Sequence, residues 1–268
     1  MRIDLGCGAN KHHNSLGIDK RKLEDVDLVC DFTEGIPLAD NSVDFVMANR
    51  SLEYTADFLR VMKEIYRICK HSAVVCIVAP YAHSSIHLAN PRIRTVFNEY
   101  TPLYLTPSSN HSKISKEFDL NPDLLDPEET EVDFRLIRME FLYFPKYYTD
   151  IYEEEDLDAL RQNGINVVNE IMYHFVVIKQ TIDSQLLEQI KHSPLEEPLR
   201  ITDCRRQLDL QERKSYLPHE PQEQETTTDE TTHHTPQGSP VPHRRQHRGK
   251  LLRTKRSTKK PRSRRRVS

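Results

Sequence analysis

The chain has 268 residues, with 38 Lys and Arg against 41 Asp and Glu for a formal net charge of −3, and 37% of its residues are hydrophobic. That length can bury a sizeable core, and no segment approaches the roughly 18 to 20 consecutive apolar residues of a bilayer-crossing helix, so a helical membrane protein is excluded and a soluble, unexported one expected. The small net charge hides an asymmetry: residues 241–268 hold thirteen Lys and Arg and no acid, which leaves 25 bases against all 41 acids, a net of −16, in residues 1–240.

From the N-terminus, Arg2–Leu5 reads as a short strand that runs into Gly6-Cys7-Gly8, a turn whose backbone carries no bulk and admits a close approach. Further short apolar runs at Ser15–Ile18, Leu28–Cys30, Val43–Ala48 and Ala73–Ala79 read as strands. Between the last two, Phe58, Val61, Met62, Ile65 and Cys69 recur at helical spacing and predict an amphipathic helix over one sheet face. This alternation is that of an α/β, doubly wound, mostly parallel sheet. Residues 82–131, rich in Pro, Asn and Ser, read as an irregular insertion able to act as a lid. Residues 134–144 and 165–180 add two strands, one able to run antiparallel, separated by an acid-started helix that Gly164 stops. A body over residues 1–182, a short helical extension over 183–202 and a disordered tail over 203–268, basic from 241, complete the division.

Five cysteines (Cys7, Cys30, Cys69, Cys76 and Cys204) form no CxxC pair, which fits reduced thiols and a cytoplasmic location. The adjacent pairs His12-His13 and His233-His234 lack further ligand spacing, so no metal is assigned. The Lys/Arg blocks of the tail lack interleaved aromatics, so contact with nucleic acid, an anionic surface or the acidic body itself would be nonspecific and salt-sensitive.

Three acids coincide with the first three strands: Asp4 within the first, Asp19 closing the second, Asp31 closing the third. Ligands of open parallel sheets bind at the carboxyl ends of the strands, so these acids converge on one crevice suited to hydroxyls and amines. A dinucleotide fits poorly: Lys11 stands where the third glycine of G-x-G-x-x-G belongs, and Asp19 follows too soon for the ribose acid.

DLGCGAN, GID, CDFTEGIPLADNSVDFVMANRSLEY and FLRVMKEIYRICKHSAVVCIVAP, in that order, resemble the successive motifs of class I S-adenosylmethionine-dependent methyltransferases over residues 2–81, more loosely to about 180. The resemblance implies a Rossmann-like methyltransferase fold and S-adenosyl-L-methionine as cofactor. It implies that Asp4, Gly6 and Gly8 form the turn around the methionine moiety, that Asp19 takes the ribose hydroxyls, that Asp31 takes the adenine amine with Phe32 against the ring, and that Asn49 lies beside the sulfonium. Asn10 stands at the usual third glycine and is expected to tolerate a left-handed backbone. His83 and His87 are the candidate general bases for an alcohol acceptor. The acceptor would be a small or sugar-like molecule, with RNA or protein as alternatives. A non-catalytic scaffold of the same fold, acting through its basic tail, is the rival reading.

Overall fold

A computed structural model of the chain describes residues 1–124, 129–149 and 151–215, with the side chains of the last helix described through residue 208. The chain divides into two units, Met1–Leu217 and Pro218–Ser268, and the second lies outside the described residues together with the expected basic tail.

Seven strands form one sheet: β1 (Arg2–Leu5), β2 (Leu16–Asp19), β3 (Leu28–Val29), β4 (Val43–Asn49), β5 (Cys69–Pro80), β6 (Phe134–Tyr143) and β7 (Val168–Val177). Their order is β3-β2-β1-β4-β5-β7-β6, and β7 alone runs against its neighbours. The helices are α1 (Phe58–Ile68), α2 (Ser85–Leu88), α3 (His111–Phe118), α4 (Glu154–Asn163), α5 (Ser184–His192) and α6 (Leu199–Ser215).

Alternation along the central strands divides the core into two layers. Ile3, Val46, Ala48, Val75 and Ile77 face α1, whose Val61, Met62, Ile65 and Ile68 complete that layer. Phe45, Met47, Cys76, Val78 and Met172 point to the opposite face and meet Ile201 of α6. Next to them, Ile137, Val176 and Ile178 receive Leu187 and Ile190 of α5. Each large aliphatic side chain buried in this way stabilises the fold by roughly 1.5 to 3 kcal/mol. The doubly wound reading holds, with the second face covered by the C-terminal helices.

Local capping explains the helix limits. Asp57 accepts a hydrogen bond from the Arg60 amide at 3.0 Å and starts α1. Glu153 and Asp156 form a reciprocal capping box on α4. At Gly164 a Cβ would stand 2.8 Å from the Leu160 carbonyl oxygen, so only glycine leaves the helix there without a clash.

Three expectations need correction. Strand β5 starts at Cys69, four residues before Ala73, because the chain passes from helix to strand without a loop; Ser72 takes a left-handed φ of 66° within it. The turn after Gly8 does not use a left-handed Asn10; the positive φ values there belong to Gly6 (71°), Gly8 (61°) and Asn14 (54°). The helical extension passes residue 202, since α6 continues to Ser215. Composition missed it because ion pairs help to anchor this segment: Arg205 bonds Glu197 at 2.9 Å and also pairs with Glu140.

Candidate functional site

The site starts where β1 ends. At Gly6 a Cβ would lie 2.4 Å from the Ser51 Cβ, so this turn and the loop after β4 pack at a distance only glycine permits. The Gly6 amide donates to the Ile18 carbonyl at 2.7 Å, which fixes the turn to β2. Around Gly8 a Cβ would meet nothing within 4 Å, so this part of the turn is open.

Asp19, 6% exposed at the end of β2, accepts the Gly8 amide at 3.1 Å on one carboxylate oxygen and the Arg21 amide at 2.8 Å on the other. It is thereby held rigidly, and each oxygen keeps accepting capacity. Asp31 accepts from the Thr33 hydroxyl at 2.7 Å and the Thr33 amide at 3.1 Å, and the hydroxyl is the main reason its carboxyl sits below the usual range. Gly6, Asp19, Asp31, Phe32, Ser51 and Tyr54 line one cavity of about 500 Å³. Two carboxylates, one bare-backbone turn and two aromatic rings thus converge at the carboxyl ends of β1–β4. A ligand offering vicinal hydroxyls to Asp19, an amine to Asp31 and a flat ring to Phe32 fits this set of groups.

The other expected residues stand around that cavity without lining it. Asp4 is 4% exposed and accepts the His12 amide at 2.7 Å; burial raises it to about 6, the amide pulls it down and Asp19 pushes it up. Gly8 donates its amide to Asp19. Asn49 accepts from the Arg200 guanidinium at 2.9 Å. His83 packs edge-on to Tyr81 with ring centroids 5.2 Å apart, and His87 meets the Asn169 side chain at 2.9 Å.

Sequence reading missed a polar network directly after β4. Arg50, in a left-handed conformation with φ 57°, donates to Glu53 at 3.0 Å and to Glu170 at 2.5 Å. Glu170 also accepts from Arg200 at 2.7 Å, which links α6 to the end of β4. Glu53 is wholly buried, and burial raises its carboxyl. Its Oε2 has no partner among the described residues. The positive φ demanded of Arg50 follows from no residue preference, and Glu170 and Arg200 lie far along the chain, so nothing local signalled the network.

His12, His13 and Glu196 bring three donor atoms within 4.8 Å of one another. Arg2 holds the same Glu196 carboxylate at 2.6 Å, so a cation already occupies its charge, and the group works as a latch between β1 and the segment before α6. No helix among the described residues is long and apolar enough to cross a membrane.

The profile of the family described as "Methyltransferase domain" matches residues 3–77, from β1 through most of β5. Among solved structures, the YcgJ protein from Bacillus subtilis is 14% identical, with a TM-score of 0.39 over 67% of this chain and 92% of its own. A SAM-dependent methyltransferase from Aquifex aeolicus is 14% identical, with a TM-score of 0.36 over 66% of this chain and 81% of its own. One from Methanosarcina mazei is 13% identical, with a TM-score of 0.40 over 67% and 92%. Comparison with curated proteins gives no match. The profile match thus runs from β1 into β5, and this part of the chain, which carries the glycine turn and the first five strands of the sheet, is similar to the methyltransferase domain family.

Proposed function

We propose that the cavity at the ends of β1–β4 holds S-adenosylmethionine and that the chain transfers its methyl group to a small or sugar-like acceptor. The observation that carries this reading is the meeting of Gly6, Asp19, Asp31 and Phe32 on a single cavity. The bound cofactor supplies an electrophilic methyl on a sulfonium. In this reading Asp19 accepts the ribose hydroxyls, Asp31 the adenine amine, and Phe32 covers the ring. Asp4 acts from beneath by holding the His12 amide, and Gly8 by fixing the Asp19 carboxylate. Asn49, the last residue of β4 and held by Arg200, takes the place beside the sulfonium in this reading. Alignment of acceptor, methyl and sulfur then supplies much of the rate, because in-line displacement gains most from positioning. For an alcohol acceptor the base comes from the 82–131 insertion, whose His83 and His87 lie outside the cavity in this conformation.

Calorimetry with S-adenosylmethionine and S-adenosylhomocysteine tests the assignment. Asp19→Asn is expected to weaken binding by about tenfold or more, the usual worth of a hydrogen bond to a charged group. Absence of binding to the wild-type chain would favour a scaffold that works without the cofactor. Transfer of a tritiated methyl to fractionated extract identifies the acceptor, and labelled RNA or protein instead of a small molecule would overturn the acceptor class.

A further inference from the structure

Resting on the methyltransferase reading of the same cavity, we propose that the methyl acceptor carries an anionic group, phosphoryl or carboxylate, and that Arg92 and Arg94 recognise it. Both line the cavity that Asp19 and Asp31 share, together with Lys20, Arg21 and Arg50. This is a concentration of positive charge in residues 1–240, which carry a net of −16. Two of the five cations are already engaged: Arg50 is paired with Glu53 and Glu170, and Arg21 lies 3.4 Å from Asp19. The guanidinium groups of Arg92 and Arg94 have no hydrogen-bond or ion-pair partner among the described residues.

The segment that bears them is fixed. The amides of Arg94 and Thr95 both donate to the Glu53 carbonyl, at 2.8 and 3.1 Å, and the Thr95 hydroxyl donates to the Thr55 carbonyl at 2.8 Å. The Arg92 amide donates to the Asn90 side chain at 3.0 Å. Two guanidinium groups without a partner among the described residues are thus carried by a backbone tied to the loop after β4, the loop that also contributes Ser51 and Tyr54 to the cavity.

The cofactor does not explain them. Its sulfonium and amino groups outweigh its one carboxylate, so it is a net cation, and the resemblance places its methionine end at the glycine turn. Arginines without an anionic partner repel a cationic ligand beside them, and a second, negative ligand offsets that repulsion. Guanidinium suits phosphoryl and carboxylate groups because its planar fork donates two parallel hydrogen bonds.

Arginine modification by phenylglyoxal, mapped by peptide mass spectrometry on the full chain saturated with S-adenosylhomocysteine, tests the proposal. Inorganic pyrophosphate and malonate serve as separate protectants, one for each anion chemistry. One of them is expected to slow modification of Arg92 and Arg94 by about fivefold or more, while the exposed Arg60 and Arg206 change by less than about twofold. Uniform slowing at all arginines, no slowing at Arg92 and Arg94, or protection by an oligonucleotide alone would overturn the proposal. In the double variant R92Q/R94Q, affinity for the protecting anion should fall about tenfold while that for S-adenosylhomocysteine moves less than about threefold. Equal loss of both would assign the pair to the cofactor. If S-adenosylhomocysteine does not bind the wild-type chain, the cofactor reading fails, and anion protection at Arg92 and Arg94 is then read without it.

Discussion

Asp4 shows how one buried carboxyl sets a pH dependence. Its pKa rises from 3.8 to about 6, because burial outweighs the hydrogen bond from the His12 amide and Asp19 adds repulsion. For a group raised on folding, the favourable contribution is complete below the unfolded pKa and is lost as pH climbs through the folded one. Stability from Asp4 should therefore fall between about pH 4 and pH 6 and then level off, by on the order of 3 kcal/mol in total. Asp4→Asn keeps an acceptor for the His12 amide and removes the ionisation. Thermal melts from pH 4 to 8 should show the variant gaining on the wild type across that window and holding its lead above it. A difference independent of pH would mean that Asp4 is not the titrating group.

At the scale of elements, the segment after β7 closes the sheet. Ile201 of α6 is 4% exposed and lies on Phe45, Met47, Cys76, Val78 and Met172. Ile201→Ala should destabilise the chain by about 2 to 4 kcal/mol, the range for emptying a core position. Arg206→Ala, which removes an exposed i,i+3 pair with Asp203, should change stability by less than about 0.5 kcal/mol. Urea midpoints at constant m-value measure both, and equal effects would show that α6 does not seal the core. The strands and α1 were legible in the sequence because alternation and helical spacing encode burial directly. The convergence of Asp19 and Asp31 on one cavity was legible because both close neighbouring parallel strands, whose carboxyl ends share one edge of the sheet. The anchoring of α6 was not, since Arg205 draws on Glu140, on a strand far earlier in the chain, as well as on Glu197. The cationic rim escaped notice for a related reason: Arg92 and Arg94 sit in an irregular stretch whose placement depends on the Glu53 carbonyl.

For the whole molecule, charge separates the body from the last 28 residues. Removing residues 241–268 takes the net charge from −3 to −16, while every residue assigned to the cavity stays in place. Binding to a polyanion should then depend on that tail and chemistry on the body. The full chain should be retained on immobilised heparin and released by salt, with log K falling linearly against log salt, because counterion release dominates contacts made by Lys and Arg alone. The shortened chain should pass unretained, since a body at −16 is repelled by the same matrix. Labelling of a small acceptor should be equal in both chains. A large loss of labelling on truncation, with cofactor binding unchanged, would instead make the tail part of acceptor recruitment and point to a polyanionic substrate. Because Arg92 and Arg94 line the cavity while the tail lies in the other unit, the two results separate recognition of a small anion from attraction to a large one.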